Sequence, residues 1–246
     1  MKSLSLVIPL YNEAENISIS LGPLITALNR SDTDYELILV DNGSSDSTNI
    51  LIKAIAEKEK RVKVVAIKKN QGYGWGIMSG LRQAEGEFIG YMCGDGQVKS
   101  EDVIATIREA KSKQYDLVKV RRIYRHDGQK RKLITFIYNI MMQLFFRIGT
   151  WDVNGTPKIF RRELLDKFDI KSREWFIDAE IMIKSKMLKL KIHEVPISFF
   201  PRTKGKTNIN IFAIFQFLKN IYYYKTHRDL GFWVKTIKPA ANDQKF

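Results

Sequence analysis

The sequence predicts an α/β protein with a mixed, mostly parallel, doubly wound sheet flanked by helices. Three observations predict it. Short β-rich runs alternate with stretches of helical pattern through residues 1–120, the signature of βαβ units. No internal repeat, low-complexity tract or Pro/Gly-rich linker interrupts the chain. Its 246 residues, 44% hydrophobic and 28% charged, suffice for one large domain or two small ones with a real core, and exclude a largely disordered chain. In order, Leu4–Pro9 reads as a strand, Glu13–Asn29 as a helix, Tyr35–Asp41 as a strand and Asp46–Glu59 as a helix. Val62–Ile67 is a strand, Gly76–Ala84 a helix, Phe88–Met92 a strand, Ser100–Ser112 a helix and Asp116–Val120 a strand.

The second half changes character. Arg121–Lys132 is basic and turn-rich. Leu133–Gly149 is strongly apolar, yet Thr135, Asn139, Gln143 and Arg147 recur at every fourth position, one narrow polar stripe on a helix. Ile209–Tyr224 is similar, with Asn210, Gln216, Lys219 and Asn220 among apolar and aromatic residues. Both segments read equally as buried core helices or as helices lying in a membrane interface.

Lys plus Arg number 41 and Asp plus Glu 27, a formal charge of +14. The excess is uneven: residues 1–110 carry a net −3 and residues 111–246 a net +17. The first half is therefore an ordinary soluble surface, and the second should meet an anion such as phosphate, nucleic acid or lipid. Nucleic acid is disfavoured, because Phe145, Phe146, Phe212 and Tyr222–Tyr224 sit in apolar runs instead of interleaving with Lys and Arg. The single cysteine, Cys93, excludes an internal disulfide and a Cys-based zinc cluster, and three scattered histidines argue against a multi-His metal site. The N-terminus shows no secretory pattern, and no apolar run reaches the roughly 20 residues that span a bilayer. The expected setting is cytoplasmic and reducing, with membrane contact open.

Ligands of parallel sheets bind at the carboxyl ends of the strands, so the polar residues there carry the chemistry. The first strand ends in Pro9-Leu10-Tyr11-Asn12-Glu13. Another ends in Asp41-Asn42-Gly43-Ser44-Ser45-Asp46; Ser45 or Asp46 can cap the next helix and leave Asp41 free for a base edge or ribose, or the whole is a plain turn. Lys69–Gly76 contains Asn70, Gly72, Gly74 and Gly76, which permit close backbone approach to a phosphate but match neither a P-loop nor the dinucleotide fingerprint. The strand after it runs into Cys93-Gly94-Asp95-Gly96-Gln97, placing an acid where a diphosphate or its metal would lie.

In this order the motifs resemble family 2 glycosyltransferases of the GT-A (Rossmann-like) fold. Trp151–Lys158, Asp178/Glu180, Glu194–Ile197 and Arg202 with Gly205 and Asn208 narrow the likeness to the dolichol- or polyprenyl-phosphate sugar synthases. The resemblance covers roughly Leu4–Asn208. It implies a glycosyltransferase domain over 1–208, with a nucleotide-binding half (1–120) and an acceptor half (121–208), then a C-terminal amphipathic helix and tail over 209–246. It implies that Pro9, Tyr11, Asn12, Glu13 and Asp41 form the nucleotide pocket, with Asn70 and Gly72 near it. Asp95 and Gln97 would hold a divalent Mg²⁺ or Mn²⁺ ion, and Asp95 would be catalytic. The family usually has an acid where this chain has Cys93, and a thiol is no hard oxygen ligand.

Two segments, 111–132 and 184–206, carry +7 and +6 of the net charge. Arg122, Arg131, Arg202 and Lys204 are the candidate phosphate contacts, with Arg202 foremost as a catalytic cation. Asp152 and Asn154 would orient an acceptor loop, and Asp178 or Glu180 would serve as base if the acceptor were a hydroxyl. A phosphate acceptor, with its second pKa of about 6, needs no such base. The leading expectation is an inverting transferase moving a sugar from GDP-mannose or a UDP-sugar to polyprenyl or dolichyl phosphate. It would sit peripherally at the cytoplasmic membrane face, with or without an integral membrane partner. A soluble glycan or protein hydroxyl acceptor, or a degenerate non-catalytic binding protein, are the alternatives.

Overall fold

The aliphatic run Leu4–Leu10 forms β1, buried at every position, as a central strand covered on both faces must be. Its neighbours are β2 (Tyr35–Asp41) and β4 (Phe88–Tyr91), both parallel to it and equally buried. This computed structural model describes residues 2–202, 211–226 and 233. Between the first strands run α1 (Ala14–Arg30), α2 (Thr48–Lys58), β3 (Val62–Ala66), α3 (Tyr73–Leu81) and, after β4, α4 (Ser100–Lys111). Then follow β5 (Leu117–Arg125), α5 (Gln129–Phe146), β6 (Lys158–Arg161), α6 (Glu163–Phe168), α7 (Ile177–Met187), β7 (Ile192–Phe199) and α8 (Ile211–Thr226).

The strand order is β3-β2-β1-β4-β6-β5-β7. Only β6 runs antiparallel to its neighbours. Two apolar clusters cover the sheet, one beneath α3 and α7, the other beneath α1 and α4. The strand expected to end at Val120 continues to Arg125, because β7 pairs alongside it as far as Phe199. A boundary at 120/121 therefore falls inside β5, and one sheet carries both halves. The helix expected from Gly76 begins at Tyr73, just after Gly72 turns the chain with φ of +105°.

α5 is a core helix only in part. Its polar stripe points inward: the Thr135 hydroxyl accepts from Arg125, Asn139 Oδ1 accepts the Val153 amide at 3.0 Å, and Gln143 Nε2 donates to the Thr150 carbonyl. Only Tyr138 and Met142 of its apolar residues are buried, while Leu133, Ile134, Phe136, Ile137, Leu144 and Phe145 are exposed. Most of its apolar side chains thus face outward, while Tyr138 and Met142, with Met141 and Phe146 beside them, pack into the core. On α8, Ile221 is buried and Phe217 meets Tyr138 with ring centroids 4.8 Å apart, whereas Leu218, Tyr222 and Tyr223 are exposed.

Candidate active site

Because β2, β1 and β4 lie side by side and run the same way, their carboxyl ends share one edge. Asp41, the segment Pro9–Glu13 and Asp95 are therefore brought to a single cleft. Asp41 does not stand free as expected. Its Oδ1 accepts the Ser44 amide at 2.9 Å and its Oδ2 accepts Asn49 Nδ2 at 2.8 Å, so each oxygen keeps only its remaining lone pair for a ligand. Asn12, in the left-handed region at φ 53°, knits the two loops: its amide donates to Ser44 Oγ and its Oδ1 accepts the Ser45 amide. Asp46, not Ser45, receives the amide at the start of α2, and it takes the Ala14 amide of α1 as well. Tyr11 stands exposed at the mouth.

Asn70 Oδ1 accepts the Gly72 amide at 2.8 Å, and Asn42 Nδ2 donates to the Gly72 carbonyl at 2.9 Å. These bonds hold the glycine loop against the end of β2. On the other side of the cleft, Asp95 Oδ1 accepts the Gln97 amide at 3.2 Å. The Arg202 guanidinium then bridges two carboxylates: Nη2 lies 3.1 Å from Glu13 Oε1, and Nε lies 3.4 Å from Asp95 Oδ2. Burial and the charge of Asp95 push the Glu13 carboxyl up, against its bonds to Asn16 and Arg202. Arg131 feels the charges of both Arg202 and Asp95, and is steadied by Asp127 at 3.5 Å. Glu13, Asp95 and Arg202 therefore meet in one place, with Arg131, held by Asp127, close enough to feel their charge.

Elsewhere the structure departs from expectation. The Arg122 guanidinium is not open to a phosphate. It grips Asp152 with Nε at 2.8 Å and Nη2 at 2.6 Å, and its own amide donates to the same carboxylate. Burial opposes the charge on Asp152, but Arg122 beside it holds the carboxyl well below the usual range. Asp152 thus anchors the loop after α5 from within, and Asn154 Oδ1 is buried with no protein partner. Asp178 is buried beneath the site, where its Oδ1 accepts from both Lys158 Nζ and the Tyr91 hydroxyl. Burial draws the Lys158 ammonium down to about 8 despite Asp178. Glu180 pairs with Lys184 and accepts the Lys171 and Ser172 amides, a structural role. Lys119, fully buried and bonded to Glu194 at 3.0 Å, was not anticipated; its signal is a lone Lys inside the apolar start of β5. Lys204 lies outside the described residues.

A divalent ion at this edge would find one carboxylate, Asp95, and the Gln97 carbonyl, whose amide nitrogen is committed to the Phe200 carbonyl at 2.7 Å. Among the described residues no group of three or more His, Cys, Asp or Glu side chains is placed to hold a metal. Two hard oxygen donors fit an ion that shares its remaining positions with substrate phosphates and water. Cys93 does not join them. Burial and the neighbouring Asp95 push its thiol up to about 12, and its Sγ lies 3.2 Å from the Tyr73 hydroxyl.

The sequence model of glycosyl transferase family 2 matches residues 5–169, and the chain belongs to this family. It is similar to the undecaprenyl-phosphate 4-deoxy-4-formamido-L-arabinose transferase of Photorhabdus laumondii, 33% identical over 167 residues, 68% of this chain and 51% of that protein. The enzyme of the same name from Pectobacterium atrosepticum is 33% identical over 166 residues, 67% of this chain and 50% of that protein. The chain spans about half the length of these curated relatives. Among solved structures, glucosyl-3-phosphoglycerate synthase from Mycobacterium tuberculosis, with Mn²⁺, uridine diphosphate and glucosyl-3-phosphoglycerate, superposes with a TM-score of 0.66. It is 18% identical, covering 90% of this chain and 77% of that one. TarS from S. aureus, in complex with UDP-GlcNAc, gives 0.57 at 18% identity, covering 89% and 65%. This likeness shows the fold, the GT-A architecture that the motifs resemble.

A half-buried thiol whose pKa is raised has a chemical consequence. With its thiol held protonated, Cys93 should be alkylated by iodoacetamide at pH 8 at least ~10-fold more slowly in the native protein than in the unfolded chain. Mass spectrometry over time reads this directly, and native alkylation at the unfolded rate would place Cys93 in an open site.

Proposed function

We propose that this chain transfers one sugar from a nucleotide diphosphate-sugar, GDP-mannose or a UDP-sugar, to polyprenyl phosphate, with inversion at the anomeric carbon. The observation that carries the reading is the meeting of Glu13, Asp95 and Arg202 at the carboxyl ends of β1 and β4. A guanidinium at this edge, with the Arg131 charge near it, suits a reaction in which both the leaving group and the acceptor are phosphates. The names of the relatives, which are undecaprenyl-phosphate transferases, support a polyprenyl phosphate acceptor.

The balance of the step is simple. An oxygen of the ionised lipid phosphate forms a bond to the anomeric carbon as the bond to the nucleotide's terminal phosphate breaks. The electron pair leaves on that phosphate. No proton has to be removed from the acceptor. This accords with Asp178, whose Oδ1 is engaged by Lys158 and Tyr91. Arg202 and Arg131 stabilise the departing charge, and Asp41 with Tyr11 and Asn70 form the nucleotide end of the cleft. Asp95 and Gln97 would hold a divalent ion, which supplies further charge neutralisation on the diphosphate when bound.

The acceptor's lipid calls for a membrane surface, and the outward apolar faces of α5 and α8 match one. Phe136 and Leu144 are 57% and 73% exposed, and Tyr222 is 68% exposed. Among the described residues no helix is long and apolar enough to cross a membrane, so these faces would lie in the interface, with the cationic second half drawn to anionic lipid.

Incubation with UDP-glucose, UDP-GlcNAc or GDP-mannose, undecaprenyl phosphate and Mg²⁺ or Mn²⁺ should yield a glycosylated lipid phosphate from one donor. Asp95→Asn should lower that rate at least ~100-fold with an unchanged melting temperature. No product from any donor, or full turnover by the variant, would refute the assignment. Separately, Phe136→Glu with Leu144→Glu should weaken flotation with phosphatidylglycerol-containing vesicles at least ~10-fold. Wild-type binding by that variant would remove α5 from the membrane surface.

A further inference from the structure

We propose that Tyr73, Glu174 and Trp175 form the subsite for the donor's sugar ring, and that this subsite selects a neutral, hydroxyl-bearing sugar over an acidic one. The inference rests on the donor reading above and deepens it.

The first ground is placement. The Trp75 amide donates to the Arg173 carbonyl at 2.8 Å, so the segment leading into α7 lies directly on the start of α3. A Cβ on Gly72 would sit 2.4 Å from the Arg173 carbonyl oxygen and 2.5 Å from Glu174 Oε1, and a Cβ on Gly74 would sit 2.7 Å from the Ser172 carbonyl oxygen. The bare glycines are what let residues 172–175 approach. Glu174 is thereby set beside the Asn70–Gly72 loop at the edge of the cleft.

The second ground is an aromatic platform. The rings of Tyr73 and Trp175 stack with centroids 4.4 Å apart and planes 16° apart, and Trp175 remains 41% exposed. The Tyr73 hydroxyl touches Cys93 Sγ at 3.2 Å. Cys93 stands two positions before Asp95, so the stack lies next to the diphosphate end of the cleft. A partly exposed indole braced from one side suits the apolar C–H face of a pyranose.

The third ground is a carboxylate in need of donors. Glu174 forms no ion pair and accepts no hydrogen bond among the described residues, and burial pushes its carboxyl up. The nearby cations are turned elsewhere: Arg173 lies over the Trp75 ring at 4.6 Å and Lys171 pairs with Asp169 at 2.6 Å. A half-buried carboxylate whose acceptors are left to solvent offers them to a ligand's donors when that solvent is displaced. Sugar hydroxyls are such donors. A uronic acid carboxylate would bring a second negative charge and no donor.

Isothermal titration with Mg²⁺ tests this. UDP, UDP-glucose and UDP-glucuronate, and in parallel GDP and GDP-mannose, are titrated into wild type, Glu174→Gln and Trp175→Ala. Bare nucleotide should bind all three proteins within about twofold. The neutral sugar nucleotide should bind each variant about tenfold more weakly than wild type. UDP-glucuronate should bind wild type at least about tenfold more weakly than UDP-glucose, and Glu174→Gln should narrow that gap. Equal losses for bare nucleotide and sugar nucleotide, or no loss for either, would overturn the subsite while leaving the donor reading intact. If wild type binds no nucleotide at all, the donor reading falls and the subsite with it.

Discussion

Arg202 is the cation on which the cleft's electrostatics depend. Glu13 arrives from the end of β1 and Asp95 from beyond β4, and one guanidinium lies against both, at 3.1 and 3.4 Å. Two carboxylates in one partly buried place repel each other, and a diphosphate would add further negative charge. Arg202, with Arg131 beside it, offsets that charge from the second half of the chain. The pairs are partly open to water, so their direct contribution to stability is about 1 kcal/mol or less. Their consequence is organisational: the segment after β7 is drawn to the edge formed by β1 and β4, and this end of the cleft is made of both halves.

The same asymmetry of charge governs the outer surface. The buried cations of the second half are already matched, Arg122 by Asp152, Lys119 by Glu194 and Lys158 by Asp178. Removing one partner from such a pair leaves an uncompensated buried charge and costs about 3–5 kcal/mol. These pairs fix the β5–β6–β7 side of the sheet and leave Arg131 and Arg202 at the cleft. On α5, the inward polar residues satisfy the loop after the helix, and apart from Tyr138, Met142 and their neighbours in the core most of the apolar residues face outward.

What was legible in the sequence is what is local. The strand ends and the acids that follow them are adjacent in the chain, so Asp41, Asp95 and Glu13 could be read as neighbours in a parallel sheet before any coordinates. The four-residue stripe of α5 was also legible, but periodicity names a face without saying which side meets the core. Arg122 was misjudged for a related reason. Its partner Asp152 is 30 positions away, and only the position of the loop after α5 over β5 brings them together. Asp41 was expected to be free because Ser45 or Asp46 could cap α2, but Asn49, the second residue of that helix, binds it. Glu174 and Trp175 escaped notice altogether; the trace they left is the pair Gly72 and Gly74, whose missing side chains make room for them.

The central claim is that the carboxyl ends of β1, β2 and β4, closed by Arg202, bind a nucleotide diphosphate. The most direct measurement is equilibrium binding of UDP and GDP to wild type and to Arg202→Ala, with melting temperatures recorded for both. The account predicts that one nucleotide binds the wild type and binds the variant at least about tenfold more weakly, as expected for loss of a charged phosphate contact, while both proteins stay folded. Equal affinity in the two proteins, or no binding by a folded wild type, would contradict it.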